Sequence, residues 1–144
     1  MTLDELKQEW SEDTQIDQEN LSGEALKLPM LHSKYLNELI QYKLKHTKLC
    51  MDIAGLRALK GRYFRGELTS DELRERDWEQ WQYRTLKADI EGLIDADSDV
   101  QQLITREQYI KTVIYFLESV MGDIKNRNFA IKSAIEWVRF RSGN

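Results

Sequence analysis

One stripe of residues constrains this chain more than any other feature. Leu31, Tyr35, Leu39, Tyr42, His46, Leu49, Ile53, Leu56 and Tyr63 follow one another in steps of four, four, three, four, three, four, three and then seven. That is close to the 3.5-residue period of helices that pack along a seam. A strand would need alternation every second residue instead. The stripe predicts a helix from about Pro29 to Arg65, with Gly66 as its stop. Such a helix would run roughly 55 Å at 1.5 Å per residue. The whole chain has 144 residues with one Pro and seven Gly, so it has few of the turns a strand-rich fold requires. The expected fold class is all-α, with long helices forming a helical hairpin or bundle. Residues 1–144 read as a single domain, with an N-terminal part to residue 66 and a C-terminal part from 67.

Local signals place the other helices. Thr2 and Glu5 form a capping box that opens a short helix through about Trp10. Asp17 is positioned to cap a second short helix towards Lys27. Thr69 and Glu72 repeat the capping-box pattern and open a helix through Trp78, Trp81, Leu86, Ile90 and Leu93. The run Asp95-Ala96-Asp97-Ser98-Asp99 breaks it. Thr105 and Gln108 then cap a last long helix, leaving Val100–Ile104 either helical or extended. Its apolar stripe holds Ile110, Val113, Ile114, Leu117, Val120, Met121 and Ile124, and continues to Ile131, Ile135 and Val138. These residues are either a core face or a self-association seam.

Charge is unevenly spread. The net charge is -4, yet residues 1–24 carry eight acids against one base. From Lys43 to Arg65 there are seven bases and one acid; from Glu67 to Asp99, eleven acids and four bases. A basic segment is thus followed by an acidic one, which either keeps the chain soluble or competes with an anionic partner for the bases. The single cysteine, Cys50, excludes an internal disulfide and points to a reducing compartment. No apolar run is long enough to span a membrane, and the acidic amphipathic start is unlike a signal peptide. The expected location is the cytoplasm.

No catalytic pattern emerges. A Gly-rich phosphate loop is missing. His32 and His46 show no Cys or His partner at metal-ligand spacing, and Cys50 stands alone within a helix, so no metal site and no catalytic thiol are expected. His46 lies on the stripe and reads as a packed or interface histidine. Asp95, Asp97 and Asp99 resemble the start of a calcium loop, but Val100 and Arg106 stand where its Gly and Glu belong. A metal-dependent nuclease on Asp97 and Asp99 is the weakest reading. The chain is expected to be no enzyme and to need no cofactor.

The stretch from Leu56 to Arg65 is the most informative. It sets Arg57, Lys60, Arg62 and Arg65 beside Tyr63 and Phe64. Single-stranded nucleic acid needs cations for its phosphates and flat side chains for its bases. On one helix these bases fall on two edges, so one strand meets them all only if several copies converge. The plainer reading is an amphipathic helix with solvated Lys and Arg. A related alternative is a helical scaffold whose basic stretch binds an acidic protein.

Several local matches, in order and at matching spacing, resemble the UvsY family of bacteriophage recombination mediators. They are Leu3-Asp4-Glu5-Leu6, Met30-Leu31-His32-Ser33-Lys34-Tyr35-Leu36-Asn37, Ala58-Leu59-Lys60-Gly61-Arg62, Ala96-Asp97-Ser98-Asp99-Val100, and the ending from Ile124 to Lys132. The resemblance implies a ring-like homo-oligomer, hexamer or heptamer, that binds single-stranded DNA. It further implies partners: a RecA-like phage recombinase and the single-strand DNA-binding protein it replaces, in the cytoplasm of the infected host. The family's DNA-binding motif, Leu-Lys-Ala-Arg followed by aromatics, falls on Leu59, Lys60, Gly61 and Arg62, then Tyr63 and Phe64. The resemblance thus assigns phosphate contacts to Lys60 and Arg62, supported by Arg57 and Arg65, and base stacking to Tyr63 and Phe64. Gly61 departs from the family's Ala. The family's C-terminal self-assembly favours the seam reading of Ile110 to Ile124.

Overall fold

The backbone follows the capping signals at Thr2 and Thr69 and runs through the one at Thr105. A computed structural model describes residues 1–143. It contains five α-helices among the described residues: α1 Leu3–Asp13, α2 Leu21–Phe64, α3 Ser70–Arg76, α4 Ile90–Ala96 and α5 Ser98–Arg141. No strand occurs among the described residues, and none of the helices is long and apolar enough to cross a membrane.

α1 begins with the expected capping box: Thr2 accepts from the Glu5 amide, and the Glu5 carboxylate accepts from the Thr2 amide. Asp17 caps only a single 3-10 turn, Gln18–Asn20, and α2 starts directly after it. Pro29 therefore lies inside α2 and does not open it, a correction to the expected boundary. Pro29 is exposed, so the Ala25 carbonyl that loses its amide partner can be met by water.

The helix expected from Thr69 through Leu93 is in fact short. α3 ends at Arg76, where Asp77 takes a left-handed conformation with φ 56°, and the Trp78 amide closes back on the Leu73 carbonyl. Thr69 caps as expected, but the Glu72 carboxylate reaches Arg62. Residues 78–86 are irregular, because Trp78 and Trp81 turn in to pack on α2. The break at Asp95–Asp99 is one residue wide. Asp97 is extended, ends α4, and accepts from the Val100 amide to start α5. Thr105, expected as a cap, is interior to α5.

The chain divides into two compact units: residues 1–44 with 111–144, and residues 45–110. This division cuts across the one anticipated at residue 66, since both long helices contribute to each unit. The first unit buries Leu6 of α1, Leu31, Tyr35 and Leu39 of α2, and Val113, Leu117, Val120, Ile124 and Ile131 of α5. Each such aliphatic side chain contributes about 1.5–3 kcal/mol by leaving water. Polar groups tie the same helices. Arg127 donates to the carbonyls of Asp13, Thr14 and Gln15 at 3.1, 2.9 and 3.0 Å, which satisfies the C-terminal end of α1. Tyr35 donates to Asp13 at 2.8 Å, and Trp10 meets the Tyr35 ring edge-on. The second unit is built on Phe64, Ile90, Ile94 and Val100, with Leu56, Tyr63, Trp81, Leu93 and Ile104 packed against them.

Candidate nucleic-acid interface

The C-terminal turns of α2 carry the basic segment, and the acidic loop and helices after it fold back onto it. Lys60 is buried, 5% exposed, with Nζ 3.0 Å from both Asp97 Oδ1 and Asp99 Oδ2. Its ammonium also lies 4.0 Å from the Trp78 ring centroid. Arg57 donates to Asp95 and Glu91, each at 2.8 Å. The hydrogen bond to Asp95 raises the Arg57 pKa above its ordinary value, outweighing desolvation. Arg62 donates to both oxygens of Glu72, at 3.2 and 3.0 Å. Arg65 holds Glu67. Every cation that the sequence offered for DNA thus already has a carboxylate.

Accessibility separates them. The side chains of Arg62 and Arg65 are 42% and 44% exposed, and that of Arg57 is 31% exposed. Exposed pairs like these are individually weak and yield readily to a phosphate. Lys60 has no such freedom: its ammonium joins α2 to the start of α5.

The two aromatics are also differently placed from a free stacking platform. Phe64 is buried, 6% exposed. Tyr63 is half-buried, and its hydroxyl donates to the Glu79 carbonyl at 2.6 Å. Both rings meet Trp81, at 5.9 and 4.9 Å between centroids. Trp81 in turn meets Tyr83 at 4.9 Å, and Tyr83 is exposed. The outward end of this aromatic chain is therefore Tyr83. Arg84 and Lys87, close by in sequence, are exposed and pair with no carboxylate among the described residues. Sequence reading passed over this trio because it sat inside a presumed helix; the signal was Trp81-Gln82-Tyr83-Arg84, aromatics interleaved with a base. Beside Arg62, a shallow groove is lined by Gly55, Leu56, Ala58, Leu59, Arg62 and Arg76.

The self-association residues expected on α5 are placed inward. Ile110 is buried in the second unit, and Val113, Leu117, Val120 and Ile124 are buried in the first; Ile114 and Met121 are half-buried. The exposed large hydrophobic side chains of α5 are Tyr109 and Tyr115 beside this stretch and Phe129, Trp137, Val138 and Phe140 beyond it, with the Trp137 and Phe140 rings stacked at 5.8 Å.

The expectation that Cys50 stands alone needs correction. His46 and Cys50 are one helical turn apart on α2, and Glu107 of α5 faces both. A four-residue His-to-Cys spacing on a helix was the signal that went unread.

A family model described as "Recombination, repair and ssDNA binding protein UvsY" matches residues 9–144. The recombination protein uvsY of Enterobacteria phage T4 is 31% identical over 145 residues, which is 99% of this chain and 99% of that protein. Crystal structures of the bacteriophage T4 recombination mediator protein UvsY share the fold. One matches with a TM-score of 0.85 at 28% identity over 97% of this chain and 99% of that one. Another crystal form gives 0.83 at 27% identity over 99% and 98%.

Proposed function

The chain belongs to the UvsY family, and from that premise we propose that it is a recombination mediator that binds single-stranded DNA through the exposed arginines of the second unit. The observation that carries the assignment is the pairing of accessible guanidinium groups with an aromatic chain that ends in an exposed ring. Arg62 and Arg65, with Arg57, contact phosphates after exchanging their carboxylates; Tyr83 offers a face to a base, and Arg84 and Lys87 extend the cationic path. Lys60 supports this surface from beneath, and Tyr63 and Phe64 hold Trp81 in place. Exchange of a carboxylate for a phosphate at these guanidinium groups needs no chemical step and no cofactor.

The mediator role follows from multiple sites. One site of a few phosphate contacts is weak, but copies linked in a homo-oligomer bind a strand with high effective concentration. Self-association is proposed to use the stacked, exposed Trp137 and Phe140 rings near the end of α5, since exposed aromatic pairs of this kind favour an interface. A strand held on such an assembly, a hexamer or heptamer, is presented to a RecA-like recombinase while single-strand DNA-binding protein is loosened, in the cytoplasm of the infected host.

Fluorescence anisotropy of labelled single-stranded DNA across a salt series tests the site. Arg62→Ala with Arg65→Ala is expected to weaken binding and flatten the salt dependence by roughly 0.7 per lost phosphate contact. An intact oligomer with no DNA affinity would move the assignment to a scaffold that binds an acidic protein.

A further inference from the structure

In the unit of residues 45–110, three side chains with metal-binding chemistry converge, and the proposed function uses none of them. His46 Nε2 stands 3.3 Å from Glu107 Oε1 and 3.6 Å from Cys50 Sγ; Cys50 Sγ stands 3.9 Å from Glu107 Oε1. The three ligand atoms all lie within 4.8 Å of one another. We propose that His46, Cys50 and Glu107 form a binding site for a divalent transition-metal ion of the zinc class.

The distances carry the argument. Zinc takes sulfur at about 2.3 Å, imidazole nitrogen at about 2.0–2.1 Å and carboxylate oxygen at about 2.0–2.2 Å, in tetrahedral array. Those bonds separate nitrogen from oxygen by roughly 3.4 Å, and sulfur from either by roughly 3.6 Å. The observed triangle matches two edges and exceeds the third by a few tenths of an ångström, a shift within reach of one carboxylate rotation. A single thiol hydrogen bond would need only one of the partners to approach; here all three edges are short together.

The donor set selects the ion. One thiolate, one imidazole and one carboxylate suit a borderline-soft cation, whereas magnesium and calcium prefer oxygen alone. Three protein ligands leave the fourth position for water. Cys50 is exposed, and the side chains of His46 and Glu107 are 28% and 17% exposed, so an ion reaches the site from solvent. On binding, the Cys50 thiol gives its proton to solvent and the sulfur–metal bond forms, with no change of oxidation state. The ion would then bridge α2 to α5 about two turns before Arg57, bracing the helix that carries the basic segment. The site stands independently of the DNA assignment.

The test titrates Co²⁺, followed by absorbance, and Zn²⁺, followed by calorimetry, into the 144-residue chain. One ion per chain is expected, with a thiolate-to-cobalt charge-transfer band and visible bands of tetrahedral intensity. Cys50→Ser, at an exposed position and with its helix content checked by circular dichroism, should abolish the band. His46→Gln and Glu107→Gln should each weaken zinc binding by about tenfold or more, at least what loss of an outer-shell partner costs. Zinc should raise the melting temperature of the wild type and not of Cys50→Ser. A wild type without the charge-transfer band overturns the proposal. So does a band and affinity unchanged in both His46→Gln and Glu107→Gln, which would mean a thiol binding metal on its own.

Discussion

Asp97 does two jobs at one position: its Oδ2 accepts from the Val100 amide to start α5, and its Oδ1 stands 3.0 Å from Lys60 Nζ. The helix start and the end of α2 are therefore fixed by one carboxylate. Lys60 buried between Asp97 and Asp99, under the Trp78 ring, is a structural cation.

Lys60→Ala is accordingly expected to destabilise the protein. Asp97 is largely buried, and removal of its partner leaves the charge unmatched. Breaking such a pair costs about 3–5 kcal/mol when both partners are buried. Asp99 is 52% exposed, which lowers the expected loss to roughly 2–3 kcal/mol. Urea unfolding measures it. A stability equal to wild type, with DNA affinity lost, would return Lys60 to the role of a direct phosphate contact.

Glu72→Gln should strengthen DNA binding. It removes the carboxylate that occupies Arg62 and leaves the Thr69 cap, which uses the Glu72 amide, in place. The ion pair is partly exposed, so stability should change by less than about 1 kcal/mol. Anisotropy at fixed salt should show a several-fold tighter complex. Unchanged affinity would mean that Arg62 does not meet the strand.

Gly61→Ala should stabilise α2. A Cβ at this position meets the flexible Arg65 guanidinium at 3.3 Å and Ile94 Cδ1 at 3.6 Å, so it needs only a small movement of Arg65. Alanine is favoured over glycine by about 1 kcal/mol inside a helix. Thermal melting should shift upwards; a lower melting temperature would show that Arg65 cannot move aside.

Acid sensitivity should centre on Asp13. Burial pushes its carboxyl up, but hydrogen bonds from Lys34 and Tyr35, with the charges of Lys34 and Arg127, outweigh it and hold the pKa below the ordinary 3.8. A carboxyl depressed by folding stabilises above its unfolded pKa and loses that contribution as pH falls through the folded value. Stability from Asp13 is thus full above pH 3.8 and drops below it. Asp13→Asn should flatten the acid limb of a stability–pH curve while the limb persists in Glu12→Gln, whose partner, Gln8, is uncharged. Equal acid limbs in wild type and Asp13→Asn would remove Asp13 from this role.

Helix content and several ends were written in local sequence. The period of Leu31 to Tyr63 made α2, Thr2 and Glu5 started α1, and Gly66 with φ 73° stopped α2 where only glycine is comfortable. These depend on residues within a few positions of one another, so a linear reading finds them. The order and spacing of motifs likewise carried the family. Tertiary packing decided the rest. Trp78 and Trp81 carried a helical pattern but left the helix, because burial against Tyr63 and Phe64 is worth more than one further turn. The stripe of Ile110 to Ile124 announced an apolar face without saying what covers it, and the covering helices come from the same chain. Arg57, Lys60 and Arg62 looked available in sequence until Glu72, Glu91, Asp95, Asp97 and Asp99 folded onto them from 10 or more positions away, and which cation stays accessible depends on those partners. Helix geometry is local and periodic, whereas burial and ion pairing are set by whatever the fold brings alongside.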